Sequence, residues 1–450
     1  MEKKPIIYKA ICTVAVIVLA VLLLCGVFNG KDSMYHLKNR GDLGPLTRKD
    51  IHYVSVAAPK GTGMYGNTTA ADWSSVYPEI TASMLANKDN DQVDDYLEQD
   101  PYLKELYEGY GFAKDYGSAR GHDWTLVDIG KTARINENSL ANCMTCKTPD
   151  FAKLVQTEGV GVYKRPFQEV YQQISANGEA ISCYTCHGDD AGAEGALNIT
   201  HTYVLKALGD NAVNGTISPS VLSCGQCHIE YYFTPADKET MMPYSGVDTM
   251  TPEAILAYYD NMVMPDGTVG FYDWIQPGTG TPMLKAQHPE METFLYGKHA
   301  KEGLSCADCH MAIEMTEEGT VYYNHTLVSP LDSDTILSTC ATCHGSTNMV
   351  QLVHGIQNRV TAEETKVGNN LVVLKDAIIS GIQTGKLVEG SEKLDQVRQL
   401  HRQAQWYFDF CYVENSEGAH NSELSIHCLE VSQQKIDEAL ALIQSQEPEE

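Results

Sequence analysis

Basic residues are scarce in this chain. Its 450 residues include 32 Lys and Arg against 59 Asp and Glu, a formal net charge of −27. That balance excludes a nucleic-acid partner, because phosphates need a basic face, and it suits solubility outside the cell. An anionic substrate would need a locally positive pocket inside a negative protein. Strand alternation of useful length is also missing, which argues against a sheet-built core. Apolar runs long enough to span a bilayer reduce to one, Ala10 to Phe28. Cysteine is rare outside one arrangement. Of 14 Cys, all but Cys12, Cys25, Cys411 and Cys428 fall in Cys-x-x-Cys pairs.

Four of the five pairs continue into His: Cys183-Cys186-His187, Cys224-Cys227-His228, Cys306-Cys309-His310 and Cys340-Cys343-His344. The fifth, Cys143-Cys146-Lys147, ends in Lys. CxxCH is the attachment signature of c-type haem: two thiols bond to the porphyrin edge and the adjacent imidazole reaches the iron. Structural zinc uses two pairs per metal, so five pairs do not divide that way, and zinc leaves the following His unexplained.

Lys147 marks one haem as different. An amine binds iron only when deprotonated, so burial and the iron charge must lower its pKa from the ordinary range. The bland reading is a haem-free CxxC with a Lys neighbour. A specialised ligand on one side suggests that the other side is kept for chemistry.

Lys3, Lys4 and Lys9 precede the apolar run and put the N-terminus inside. An uncleaved anchor is favoured over a cleavable signal peptide, because no small-x-small site follows; Leu24 before Cys25 makes a poor lipoprotein box. Either way, the rest of the chain lies outside the cytoplasmic membrane, on its outer face or in the periplasm, where disulfides can persist.

The expected organisation is an anchor over 1–30, a linker or wrapping segment over 31–75, a haem-bearing region over 76–355, and a long-helix region over 356–450. Asp91 to Asp95 opens a helix; Asn87 to Glu98 resembles a calcium loop but has Gln92 where Gly is required. Thr361-Ala362-Glu363-Glu364 reads as a capping box starting a helix with Leu371, Leu374, Ile378 and Ile382. Ser391 to Phe410 forms a second, and Ser422 caps a third with Leu429, Ile436, Leu440 and Ile443. Such helices pack on a core or pair with a second subunit. Cys411 and Cys428 either bridge or stay as free thiols. The fold class is mainly α: a multihaem cytochrome c with a haem-packed core, long loops and long C-terminal helices.

Four six-coordinate haems need four further ligands. Eleven His lie outside the motifs: His36, His52, His122, His201, His288, His299, His325, His354, His401, His420 and His427. Spacing alone does not pair them.

The order of one CxxCK and four CxxCH resembles the pentahaem cytochrome c nitrite reductases that form ammonia. The likeness extends to Cys224-Gly225-Gln226-Cys227-His228-Ile229-Glu230-Tyr231-Tyr232-Phe233 and to Pro282-Met283-Leu284-Lys285-Ala286-Gln287-His288-Pro289-Glu290. It also covers Arg120-Gly121-His122, Lys147-Thr148-Pro149-Asp150 and Ala404-Gln405-Trp406, spanning roughly 75–440. The resemblance implies that Lys147 ligates the active haem and that Arg134, Tyr231 and His288 surround its free face. It implies distal ligands His325 for the haem of His187, His122 for that of His228, His420 for that of His310, and His299 for that of His344. His427 lies near enough to His420 in sequence to compete. Glu230, Lys285, Gln287 and the Tyr231 carbonyl resemble the family's calcium site.

The implied activity is six-electron reduction of nitrite to ammonium by a homodimer, fed by a membrane-bound quinol-oxidising multihaem cytochrome. Two other readings stay open. A passive electron carrier would have five six-coordinate haems, and a related reductase would act on hydroxylamine or sulfite.

Overall fold

The computed structural model describes residues 46–51, 56–189 and 197–445. The apolar run, Cys12, Cys25, His36 and His52 lie outside these residues. Among the described residues, no helix is long and apolar enough to cross a membrane. Two units emerge, one of 1–52 with 313–321 and one of 53–312 with 322–450. In the small unit, Thr47 donates its backbone N–H and hydroxyl to the Asp50 carboxylate at 2.7 and 2.8 Å, opening the turn Arg48–Asp50. A hairpin tip closes there from Thr316 N–H to the Thr320 carbonyl.

The large unit is built of helices. Among the described residues its strands are short, including the two-residue ladders Tyr232–Phe233 against Thr240–Met241 and Trp274–Ile275 against Pro282–Met283. Its C-terminal part is three long helices: α1 (Met349–Gln383), α2 (Glu392–Tyr412) and α3 (Ser422–Gln444). In α1, Val360, Val367, Leu371, Leu374 and Ile378 recur on one face and are buried. Each such side chain withdrawn from water contributes about 1.5–3 kcal/mol. Gly368 lets α1 lie flush on Tyr102, whose ring a Cβ would meet at 2.5 Å. Ser432 donates its hydroxyl to the Ala404 carbonyl at 2.7 Å, tying α3 to α2.

Several helix starts differ from the sequence expectation. α1 begins at Met349, with the Asn348 side chain accepting the Gln351 N–H, so Thr361 to Glu364 is mid-helix. The buried face of α1 starts at Val360, the exposed first turns rest on the Asn348 cap, and Glu364 is buried within the helix. Ser391 caps α2, accepting the Leu394 N–H at 3.2 Å. The cap of α3 is Asn421, and Ser422 is its first helical residue. Of Asp91 to Asp95, only Asp95 opens a helix, the short Tyr96–Gln99.

The helical face is fastened to the rest of the unit by buried polar contacts. Arg402 on α2 reaches Asp260 and the carbonyls of Pro282 and Phe271 at 2.7–3.0 Å. Trp406 donates to the Pro252 carbonyl at 2.9 Å, and the Tyr107 hydroxyl donates to Asp409 at 2.7 Å. Lys375 on α1 is paired with Glu105 and Glu108. Cys411 and Cys428 are free and buried, and the Cys411 thiol donates to Glu364 at 3.3 Å.

Candidate active site and haem-binding residues

The motifs occupy the ends of short helices. Cys183–His187 and Cys306–His310 are single helical segments, opened by capping boxes at Ser182 and Ser305. Cys340 to His344 closes the helix Asp334–His344. Gly188 and Gly345, each directly after the motif His, take φ of +60°. That left-handed conformation stops the helix without strain only for glycine. Cys224 ends the helix Pro219–Cys224, and Cys227 and His228 fold back through N–H bonds to its carbonyl. The CxxCK differs: Cys143 lies on a 3-10 turn, Ala141–Met144, and Lys147 N–H bonds to the Met144 carbonyl.

Each motif His faces one further His. Ring centres are 6.3 Å apart for His122 and His228, 6.5 Å for His187 and His325, 6.2 Å for His299 and His344, and 6.2 Å for His310 and His420. A metal sits about 2.0 Å from an imidazole nitrogen, so two rings clasping one ion are roughly 6.3 Å apart at their centres. The four pairs fit iron between them. Half of the His228 side chain stays accessible although Ile229 and Glu230 beside it are wholly buried, the mark of a cradle shaped for a large flat group. Thiols of different motifs influence one another, Cys146 with Cys227 and Cys224 with Cys306, and the helix ending at Cys224 packs on the segment Cys306–His310. His427, by contrast, pairs with Glu253 at 3.5 Å on the surface, with about half of its side chain exposed.

Around the CxxCK thiols gather the other expected groups. Tyr231 and His288 stack with ring centres 6.5 Å apart. Arg134 spreads its guanidinium over Phe112 at 4.3 Å and donates from Nε to the Thr132 hydroxyl at 3.1 Å. Its positive charge is felt at Cys143 and Tyr231. Burial raises the Tyr231 hydroxyl far above its ordinary range, with the nearby thiols adding to it, so the proton stays on. Burial lowers His288 to about 4, with the charges of Lys147 and Lys285 adding to the effect against Glu290, so its ring is neutral near pH 7. Lys147 is half-buried, and its carbonyl accepts the Thr125 hydroxyl at 2.8 Å.

Beside this pocket lies an acidic knot. Glu230 is fully buried and accepts the Gln287 N–H at 2.5 Å and the Tyr259 hydroxyl at 2.8 Å. Burial raises its carboxyl well above normal. Asp273, accepting the Lys285 N–H at 2.9 Å, is raised to about 6 by burial. The Lys285 amine is lowered to about 8 by burial and sits among the rings of Phe112, Tyr116 and Tyr107 at 4.3–5.5 Å. The Gln287 side chain donates to the Lys285 carbonyl at 3.0 Å. Glu230, Lys285 and Gln287 thus meet in this knot.

A family model described as cytochrome c552 matches residues 69–447. The chain belongs to the cytochrome c552 family. The cytochrome c nitrite reductase subunit NrfA of Nitratidesulfovibrio vulgaris is 30% identical over 424 residues, 88% of this chain and 79% of that protein. The cytochrome c-552 of Desulfotalea psychrophila is 29% identical over 436 residues, 92% and 82% of the two chains. The solved cytochrome c nitrite reductase of Desulfovibrio desulfuricans, described with two calcium sites in its catalytic subunit, superposes with a TM-score of 0.73 at 27% identity, covering 84% of this chain and 86% of that one. This cytochrome c552 is therefore a mainly α multihaem oxidoreductase with covalently bound c-type haem.

Sequence reading missed the carboxylates behind the paired histidines. Glu414 holds His420, Glu290 approaches His228 Nδ1 at 4.0 Å, and Glu292 accepts the Glu230 N–H and the Tyr244 hydroxyl at 2.8 and 2.7 Å. Glu292 is raised to about 8 by burial. In the sequence these are ordinary acidic residues among 59 Asp and Glu, and burial is their distinguishing signal. His201, Nε2 3.8 Å from the Cys227 thiol and stacked on Tyr203, and His401, bonded to Thr281, are core histidines; His354 is exposed.

Proposed function

We propose that this cytochrome reduces nitrite to ammonium, adding six electrons and eight protons and releasing two waters, at a haem held by Lys147. The observation that carries the reading is the contrast among motifs: four lie in His–His pairs, and the fifth is bordered by Arg134, Tyr231 and His288. Bound c-type haem supplies iron for the anion's nitrogen and passes electrons singly. Arg134 offers charge-assisted donors to the nitrite oxygens. The Tyr231 hydroxyl and the neutral His288 imidazole each offer one hydrogen-bond donor to the anion and relay protons taken up from solvent to the oxygens that leave as water. The four paired motifs form the electron relay, a reading supported by the packing of the helix ending at Cys224 on the segment Cys306–His310.

Glu230, Gln287 and the carbonyls of Lys285 and Tyr231 would hold calcium. A buried carboxylate among oxygen donors suits a hard cation, and a fixed charge there would keep Tyr231 and Gln287 in place. The proposal includes export to the outer face of the cytoplasmic membrane, a multihaem quinol-oxidising donor, and a homodimer formed through α3. Exposed Leu352 and Val373 on α1 are consistent with a second subunit beside the long helices.

Arg134→Ala tests the reading. Nitrite turnover should fall on the order of 100- to 1000-fold with five haems still attached. Unchanged turnover would remove Arg134 from the chemistry. A nitrite-insensitive haem spectrum in the native protein would favour a passive carrier instead.

A further inference from the structure

The segment between α2 and α3 carries His420 and, six positions earlier, the buried carboxylate of Glu414. Glu414 Oε1 lies 2.6 Å from His420 Nδ1. Its Oε2 accepts the Ser416 hydroxyl at 2.5 Å, and the same hydroxyl oxygen accepts the His420 N–H at 2.9 Å. Both carboxylate oxygens are used, so the imidazole has one orientation, with its ring facing His310. Gly297 makes the close approach possible, since a Cβ there would lie 2.7 Å from the His420 carbonyl oxygen.

His325, His310 and His228 have neutral or more distant ring partners. His325 Nδ1 is 2.8 Å from the Tyr323 carbonyl, and His310 Nδ1 is 3.4 Å from that of Val328. His228 Nδ1 stands 4.0 Å from Glu290, whose same oxygen is engaged by the Asn415 amide. A neutral carbonyl orients a ring. A carboxylate also draws on its proton and makes the ligand more basic. A more anionic ligand favours ferric over ferrous iron, and so lowers the potential.

We infer that Glu414 is a positioning residue that makes the haem of Cys306 and Cys309 a low-potential step in the relay, acting through its hydrogen bond to His420. The inference rests on the reading of His420 as that haem's distal ligand. A step of this kind would hold electrons poised to leave, and so direct them on toward the motif of Cys224, whose helix packs on the segment Cys306–His310.

The test is a potentiometric titration of the five-haem protein followed by electron paramagnetic resonance. Glu414→Gln keeps shape and acceptor but removes the charge. One low-spin haem should then be easier to reduce by about tenfold in its one-electron equilibrium, ~59 mV. Its signal should shift while the others stay fixed, and Glu414→Asp should move it back. Unchanged potentials at full haem content would overturn the inference. If Glu414→Gln fails to assemble, Ser416→Ala serves: loss of that donor leaves more charge on Glu414, so the same haem should become slightly harder to reduce, and the opposite sign would overturn the idea. His420→Ala separates the two levels. A new high-spin haem supports the ligand assignment, and an unaltered low-spin spectrum removes it together with the inference.

Discussion

The haem-bearing stretch and the three long helices share one unit but are held together differently. In α1 to α3, apolar side chains recur at helical spacing and bury one another, as Leu371, Leu374, Ile378 and Ile436 do with no exposed surface. Between residues 120 and 345, helices run four to twelve residues and are joined by turns, and the motif cysteines other than the exposed Cys343 are only partly buried. The first region carries its own core. The second brings short segments together at facing histidines, His122 with His228 and His310 with His420, where haem would be bracketed under the proposed ligation. The lesson is that periodic burial and ligand pairing are two separate routes to a fixed fold, and here the second positions the chemistry while the first clamps it through Arg402, Trp406 and Asp409.

The largest effect should come from removing one bracketed group. With Cys224 and Cys227 both changed to Ala, that haem has no covalent hold and the region from 197 to 310 loses its filling. Limited proteolysis read by mass spectrometry should show cleavage there well before any in α1 to α3. Cuts appearing first in the long helices would erase the distinction between the two regions.

A smaller effect should sharpen the comparison from the helical side. Glu364 is buried in α1 beside the Cys411 thiol, and burial raises its carboxyl to about 7. A carboxyl that binds its proton more tightly when folded favours the fold in acid. Its contribution is greatest below the ordinary value near 4.5, declines as pH rises towards 7, and is flat above. Glu364→Gln should therefore flatten the fall in stability between pH 5 and pH 7, measured by denaturant midpoints. A parallel fall in both proteins would place the pH dependence elsewhere. The smallest change is Ser391→Ala, which removes the cap on α2. It should lower stability by about 1 kcal/mol and leave the haem spectrum untouched. A spectral change would mean that the two regions are coupled more tightly than their packing indicates.

Legibility followed the same divide. The five motifs were readable because covalent attachment demands two thiols and a ligand within five consecutive residues. The long helices were readable from their periodic apolar face, although their starts were not. Thr361 to Glu364 has the composition of a cap yet lies within α1, because the Asn348 side chain caps the helix well before it. Asn421 took the capping role expected of Ser422 through a side-chain bond to Leu424 that either residue type could make. Partner choice among the spare histidines was not readable from spacing. His420 and His427 are seven residues apart on one segment, and the chain turns one toward His310 and the other toward Glu253 at the surface.

By itself, the sequence determined how many haem sites there are, that one of them ends in Lys, and where the apolar stripes of the long helices run. These are local facts, written in consecutive or periodic residues. Only the tertiary structure decided which imidazole meets which, that Arg134, Tyr231 and His288 converge on the CxxCK, and that one ordinary glutamate grips His420. Those relations depend on distances between residues far apart in the chain, and on burial, which turns a common carboxylate into a strong and directed charge.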